Sequence, residues 1–253
     1  LAEKPKEYVM SEVRAAVVMG VGPVRGLGAA LATHFAAQGL HVFIAGRSAS
    51  KLSVVADQII QKGGQVTAVV ADASLDQDVE RLFASLRAQA YSLSIAVYNV
   101  DSNISAPLLE TDSELFTRLW RQNCYGAFLF GQQVLTIMQK QKSGTLIFTG
   151  ATASMRARPP FTAFATAKAG LRALAQGMAR EFGPQGVHVV HTIIDGVIDG
   201  ERARSQFANF VAAKGDDGLL QLEAIAQTYW AVHQQHPSAW THELDLRPFK
   251  EPF

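Results

Sequence analysis

Short apolar runs and longer mixed runs take turns along the chain. Ala15–Met19, His41–Ala45, Val66–Val70, Ile95–Tyr98, Thr145–Thr149 and Val187–Ile194 are brief, rich in β-branched residues and bounded by Gly, Asp or Asn, so each reads as a buried strand. Glu243–Leu246 reads as a weaker last strand. Between them, 26–38, 49–62, 76–90, 113–139 and 161–182 carry helical spacing. Gly39, Gly63-Gly64 and Gly183-Pro184 serve as stops, and Thr111-Asp112-Ser113-Glu114 has the spacing of a capping box. A strand that returns to lie parallel to its predecessor needs a crossover helix, so this alternation predicts a doubly wound parallel sheet of Rossmann type. Such a sheet, of about seven strands, is covered by helices on both faces, which is why its strands are apolar throughout. The segment 199–218, with Gly200, Gly215, Asp216, Asp217 and Gly218, is the most loop-like and is read as a lid or a surface connection.

Composition narrows the picture. The chain is 48% hydrophobic and 18% charged with a net charge of +1, enough apolar content for a sizeable core and no basic stripe for a nucleic acid. One cysteine, Cys124, permits no intrachain disulfide and suits a cytoplasmic setting. No run is apolar enough for a membrane span. Residues 1–11 are read as an N-terminal extension, with Met10 as a natural start, ahead of one domain over 12–253. The histidines 188, 191, 233 and 236 lack further converging ligands, so no metal site is expected.

The chemistry-bearing pattern begins after the first strand. Gly22, Val24, Arg25, Gly26, Leu27 and Gly28 lie between a strand and a helix, where glycines let backbone amides and a helix N-terminus approach a pyrophosphate. At the end of the second strand an NAD site carries a carboxylate for the ribose 2′-hydroxyl, but here stand Gly46, Arg47 and Ser48. A guanidinium attracts a 2′-phosphate that a carboxylate would repel, so NADP is the expected cofactor, with Arg25 in reach of the same phosphate.

These motifs, in this order, resemble the short-chain dehydrogenase/reductase family from about Val13 to the C-terminus. The family's Thr-Gly-x-x-x-Gly-x-Gly corresponds to Val21 through Gly28. Asp72, followed by Ala73, stands at its adenine-contacting aspartate. Asn-Asn-Ala-Gly corresponds to Tyr98-Asn99-Val100-Asp101. Asn123 matches the catalytic-helix asparagine, and Asp195-Gly196, followed by Ile198, replaces Pro-Gly. The Tyr-x-x-x-Lys pair becomes Phe164 and Lys168, and Ala151 stands at the serine position. The resemblance implies hydride transfer between a nicotinamide and a carbonyl or alcohol carbon. It also implies a homodimer or homotetramer formed through helices 113–139 and 161–182, with the C-terminal stretch from Trp240 as a further edge.

In that family a tyrosine hydroxyl moves the proton, and the lysine ammonium lowers its pKa from about 10 toward neutrality. Phe164 cannot do this, and Ala151 removes the second hydroxyl. Three readings follow: an oxidoreductase acting on an enone, enal or carbonyl with another proton route; a slow carbonyl reductase relying on proximity and solvent; and a catalytically silent NADP(H)-binding sensor or subunit. Candidates for the replacement acid are Tyr98, Asp101, Asp195, Ser154 and a Lys168–water relay through Asn123.

Overall fold

The computed structural model of the protein describes residues 13–251; the N-terminal extension expected over 1–11 lies outside them. The elements run β1 (Arg14–Met19), α1 (Leu27–Ala37), β2 (His41–Gly46), α2 (Ala49–Gln61), β3 (Gln65–Val70), α3 (Asp76–Arg87) and β4 (Ser92–Tyr98). They continue with α4 (Ser113–Trp120), α5 (Gly126–Gln141), β5 (Thr145–Thr149), α6 (Thr162–Phe182), β6 (His188–Ile194), α7 (Glu201–Gln206), α8 (Ala208–Lys214), α9 (Leu222–His233) and β7 (Glu243–Leu246). The seven strands form one parallel sheet in the order β3-β2-β1-β4-β5-β6-β7. The winding direction reverses between β1 and β4, and a crevice opens there at the carboxyl ends of the strands.

Two cores flank the sheet. Phe43, Phe83, Tyr98, Phe130 and Phe148 anchor the one under α3, α5 and α6. Phe35, Ile44, Val55 and Tyr229 anchor the one under α1, α2 and α9. The central strands are buried on both faces, as two covered faces require. β3 departs from that expectation: its residues are exposed or half-buried, because it is the outermost strand with one neighbour.

Three further expectations change. The helix predicted over 113–139 is nearly continuous from Ser113 to Gln141, but a π-turn at Arg121–Tyr125 interrupts it. Its N-cap is Asp112, whose carboxylate accepts from the Leu115 amide at 2.7 Å, one residue later than a capping box begun at Thr111 would place it. The loop-like segment 199–218 holds two short helices, α7 and α8. Its glycines lie at the borders, with Gly200 at the N-cap of α7 and Gly215 at the end of α8, and so do not break them. Among the described residues no helix is long and apolar enough to cross a membrane.

Candidate functional site

The glycine turn is built around a position the motif reading passed over. Gly20, directly after β1, has φ +99°, and a Cβ there would lie 2.6 Å from the Asn99 carbonyl. Only glycine accepts both that conformation and that proximity. The amides of Gly20 and Val21 both donate to the Ala45 carbonyl at 2.9 Å, which binds the turn to β2. Gly28 presses the first turn of α1 against this loop, since a Cβ would stand 2.7 Å from the Gly20 oxygen. Gly22 has open space beside it. Gly26 is the extended N-cap of α1, no side chain caps the helix, and its first turn carries no acid. Leu27 is buried beneath and Val24 packs on the same core, so the apolar members of the motif hold the turn in place.

Beside this turn lies a cleft of about 290 Å³. Gly46, Arg47, Ser48 and Lys51 form one end. Asp72, Ala73, Asn99, Val100 and Asp101 continue along it. Ser48 is the N-cap of α2 and accepts from the Lys51 amide at 3.4 Å, so the helix start turns Arg47 and Lys51 toward the same rim. Among the described residues no ion pair engages Arg47 or Lys51. Arg25, expected at this rim, instead leans to Asp199 (3.8 Å), a carboxylate held bidentately by Arg204, and its carbonyl accepts from the Glu201 amide at 2.8 Å. The rim pair is therefore Arg47 and Lys51. Asp72 accepts from the amide (2.9 Å) and hydroxyl (2.7 Å) of Ser74, and the Asn99 side chain donates to the Gly20 carbonyl. A larger open hollow of about 460 Å³ lies against Ser113, Arg118 and Arg121 outside α4, away from the strand ends. The glycine turn belongs to the smaller cleft.

Lys168 is fully buried at the inner end. Its ammonium donates to the Thr149 carbonyl at 3.1 Å and to the Val100 carbonyl at 3.4 Å, and stands 3.6 Å from Asp101 Oδ1. The Phe164 ring, one helical turn earlier on α6, lies 5.7 Å away. Burial pulls the Lys168 pKa down, and the Asp101 carboxylate opposes that. Asn123 sits in the π-turn, its amide donating to the Leu119 carbonyl at 3.0 Å while its buried Oδ1 has no partner. π-turns recur at functional sites because the extra residue re-aims side chains inward. Ala151 follows β5 and offers no polar side-chain atom. Gly196 (φ +153°) packs on Pro248, and Ile198 bridges to Leu220, so both border the segment that carries α7 and α8.

The candidate acids separate by geometry. Tyr98 is corrected: it lies in the core against Phe130 and Phe148, fully buried, its hydroxyl donating to the Gln122 carbonyl at 2.6 Å, and burial pushes its pKa well up. A side chain at the end of a parallel strand points to one helix layer or the other, and here the layer is α5. Asp195 is also engaged. Thr152 donates to it at 2.5 Å, and Arg247 and Arg156 reach its other oxygen at 2.8 and 3.4 Å. Ser154 is buried and accepts from the Ala151 amide at 3.1 Å. Asp101 is the half-exposed one, in the cleft, between Lys168 and Arg202 of α7 (3.9 Å).

The sequence reading missed a buried trio. His191 Nδ1–H donates to Glu243 at 3.0 Å, and Arg172 grips the same carboxylate with two bonds of 2.7 Å. Burial drives the His191 pKa down to about 4, so it is neutral. The pairing joins α6, β6 and β7, distant in sequence, and the histidines alone gave no signal of it. Cys124 is a buried free thiol with its pKa pushed up to about 11, inert by that measure. Among the described residues no cluster of three or more His, Cys, Asp or Glu could hold a metal.

Comparison with known proteins agrees with this geometry. A family model described as short chain dehydrogenase matches residues 14–209. A short-chain dehydrogenase/reductase of Armillaria gallica is 30% identical over 186 residues, 71% of this chain and 69% of its own. A 3-oxoacyl-[acyl-carrier-protein] reductase of Synechocystis is 29% identical over 181 residues, 71% of this chain and 73% of its own. The crystal structure of a short-chain dehydrogenase from Rhodopseudomonas palustris superposes with a TM-score of 0.80 at 35% identity, over 93% of this chain and 99% of that one. With its fold, its glycine turn and its buried lysine all in the family's order, the chain belongs to the short-chain dehydrogenase family.

Proposed function

We propose that the chain is an NADP(H)-dependent reductase that delivers hydride to an enone, enal or carbonyl carbon without a tyrosine proton donor. The carrying observation is the rim at the end of β2. Arg47, Ser48 and Lys51 face the cleft where an NAD site places a carboxylate. Two cations and a hydroxyl match a 2′-phosphate, and the uncapped start of α1 matches the pyrophosphate. Bound there, the cofactor supplies the hydride. The residues of the chain do the rest. The turn at Gly20–Gly28 grips phosphate with backbone amides, Asp72 and Asn99 border the adenosine end, and Lys168 keeps a positive charge at the reacting end. Phe164 and Ala151 give that end an apolar surface, which excludes water and favours a substrate carbon over a hydroxyl.

The Synechocystis relative is named as a reductase of 3-oxoacyl groups, a carbonyl chemistry in line with this reading. We also propose a homodimer or homotetramer that covers Phe116, Trp120 and Phe128, exposed along α4 and α5, and works in the cytoplasm. The test is NADPH oxidation across a panel of enals, enones, ketones and quinones, run beside NADPH binding. Turnover supports the reductase. Tight NADPH binding with no turnover on any acceptor favours a silent binding protein, a reading that the loss of both hydroxyls, at 151 and 164, keeps in play.

A further inference from the structure

Removal of the hydroxyl at 164 is matched by a gain elsewhere. Asp101 stands where the family pattern has the glycine of Asn-Asn-Ala-Gly, and its carboxylate lies 3.6 Å from the Lys168 ammonium. The other groups around that ammonium carry no exchangeable proton toward the cleft. Thr149 (β5) and Val100 (after β4) present carbonyls, and Phe164 (α6) presents a ring face. His191 (β6) is neutral and bound to Glu243, and Asn123 (π-turn) is an amide bound to Leu119. Tyr98, Asp195 and Ser154 are spoken for by Gln122, by Thr152 with two arginines, and by the Ala151 amide. Asp101 is the one candidate whose side chain remains about half exposed, at 47%. Its second oxygen lies 3.9 Å from Arg202, which also donates to the Asn103 carbonyl at 2.9 Å and so ties α7 across the cleft.

We infer that Asp101 and Lys168 form a proton-sharing pair that takes over the duty of the missing tyrosine, with Asp101 delivering to the substrate and Lys168 supplying the proton. The inference rests on the reductase reading. In the step, the acceptor carbon gains hydride and its C=O or C=C π-bond opens. The developing oxyanion, or the neighbouring carbon of an enone, takes a proton passed along the pair: the Lys168 ammonium gives one to the Asp101 carboxylate across the 3.6 Å gap as Asp101 hands one on, so Asp101 ends as the carboxylate it began as. The Lys168 amine so formed takes a proton from water. The net change is one hydride and one proton added to the acceptor. Arg202 of α7, 3.9 Å from its second oxygen, helps to hold the carboxylate in place.

The decisive variants are Asp101→Asn and Asp101→Glu, read in two ways. The first readout is an NMR titration of the ¹³Cε-lysine signal of Lys168 without cofactor, assigned by its loss in Lys168→Arg. Asp101 holds the Lys168 charge in place against burial, so Asp101→Asn is expected to lower the titration midpoint by about one pH unit or more. The second is kcat for the best acceptor, expected to fall by about 10²–10⁴ in Asp101→Asn. Asp101→Glu should recover part of the rate. An unmoved midpoint overturns the pair whatever the turnover, and wild-type kcat in Asp101→Asn overturns the delivering role. A wild-type chain that binds NADPH and reduces no acceptor sinks the reductase reading instead, and is recognised by the wild type alone.

Discussion

Gly150 offers the sharpest mutational test, because a single added carbon has nowhere to go. The residue directly follows β5, and its amide donates to the Thr192 carbonyl at 2.7 Å, which holds the backbone in place. A Cβ at this point would lie 2.2 Å from His191 Nε2, 2.6 Å from His191 Cε1 and 2.9 Å from Ser154 Oγ. The imidazole would have to retreat by more than about 1 Å to reach ordinary contact. It is fully buried and tethered through Nδ1 to the Glu243–Arg172 pair, so retreat breaks a hydrogen bond to a charged group. That bond is worth about 1.5–3 kcal/mol, and overpacking adds about 1–3 kcal/mol. Gly150→Ala should therefore cost about 2.5–6 kcal/mol, a fall in Tm of roughly 5–24 °C for a chain of this size. Thermal and urea unfolding measure it. In a double-mutant cycle with His191→Ala, the two losses should fall short of additivity by at least about 1 kcal/mol. An unchanged midpoint in Gly150→Ala would refute the argument that His191 fills the space beside Gly150.

Other outcomes follow from the same geometry. Arg47→Ala and Lys51→Ala should each weaken NADPH binding by about 10-fold or more while leaving NADH binding near wild type, since each removes a charge-assisted bond to the 2′-phosphate only; equal losses for both nucleotides would contradict this. His191 and His233 are both held neutral by burial, with pKa values lowered to about 4. Unfolded histidines bind protons below about pH 6.5 while these do not, so stability is whole above that pH and falls as pH drops toward 4. Each histidine accounts for up to about 3 kcal/mol of that loss, which urea midpoints at pH 7, 5.5 and 4.5 would reveal; a flat profile would oppose it. Phe164→Tyr with Ala151→Ser should confer ketone reduction with NADPH, and NADPH binding with no gain would show that positions 151 and 164 do not face the reacting carbon.

The sheet and its crevice were legible because two-face burial leaves a plain signature. Runs such as Val187–Ile194 have no polar face to lose, and a parallel sheet with crossover helices is the arrangement that buries them. The glycine turn was legible only in part. Gly26 and Gly28 stand in the motif, whereas Gly20 and Gly46 owe their identity to backbone contacts across β1, β2 and β4, and those contacts exist only after pairing. Arg25 and Arg47 are alike as letters; the difference is that the segment leading into α7 brings Asp199 to the first, while among the described residues no carboxylate pairs with the second. Tyr98 resembled a cleft residue by its place at a strand end, yet side-chain alternation turned it to the α5 layer. The bonds of His191 and Arg172 to Glu243 and the Asp101–Lys168 contact each span at least 52 residues, and no local pattern encodes such meetings.

The central claim is that the β2 rim selects a 2′-phosphorylated nicotinamide coenzyme. Calorimetric titration of the wild-type chain with NADPH and with NADH tests it most directly. NADPH should bind at least about 10-fold more tightly, as one charge-assisted contact at the 2′-phosphate requires. No heat from NADPH at millimolar titrant, or NADH binding as tightly, would contradict the account.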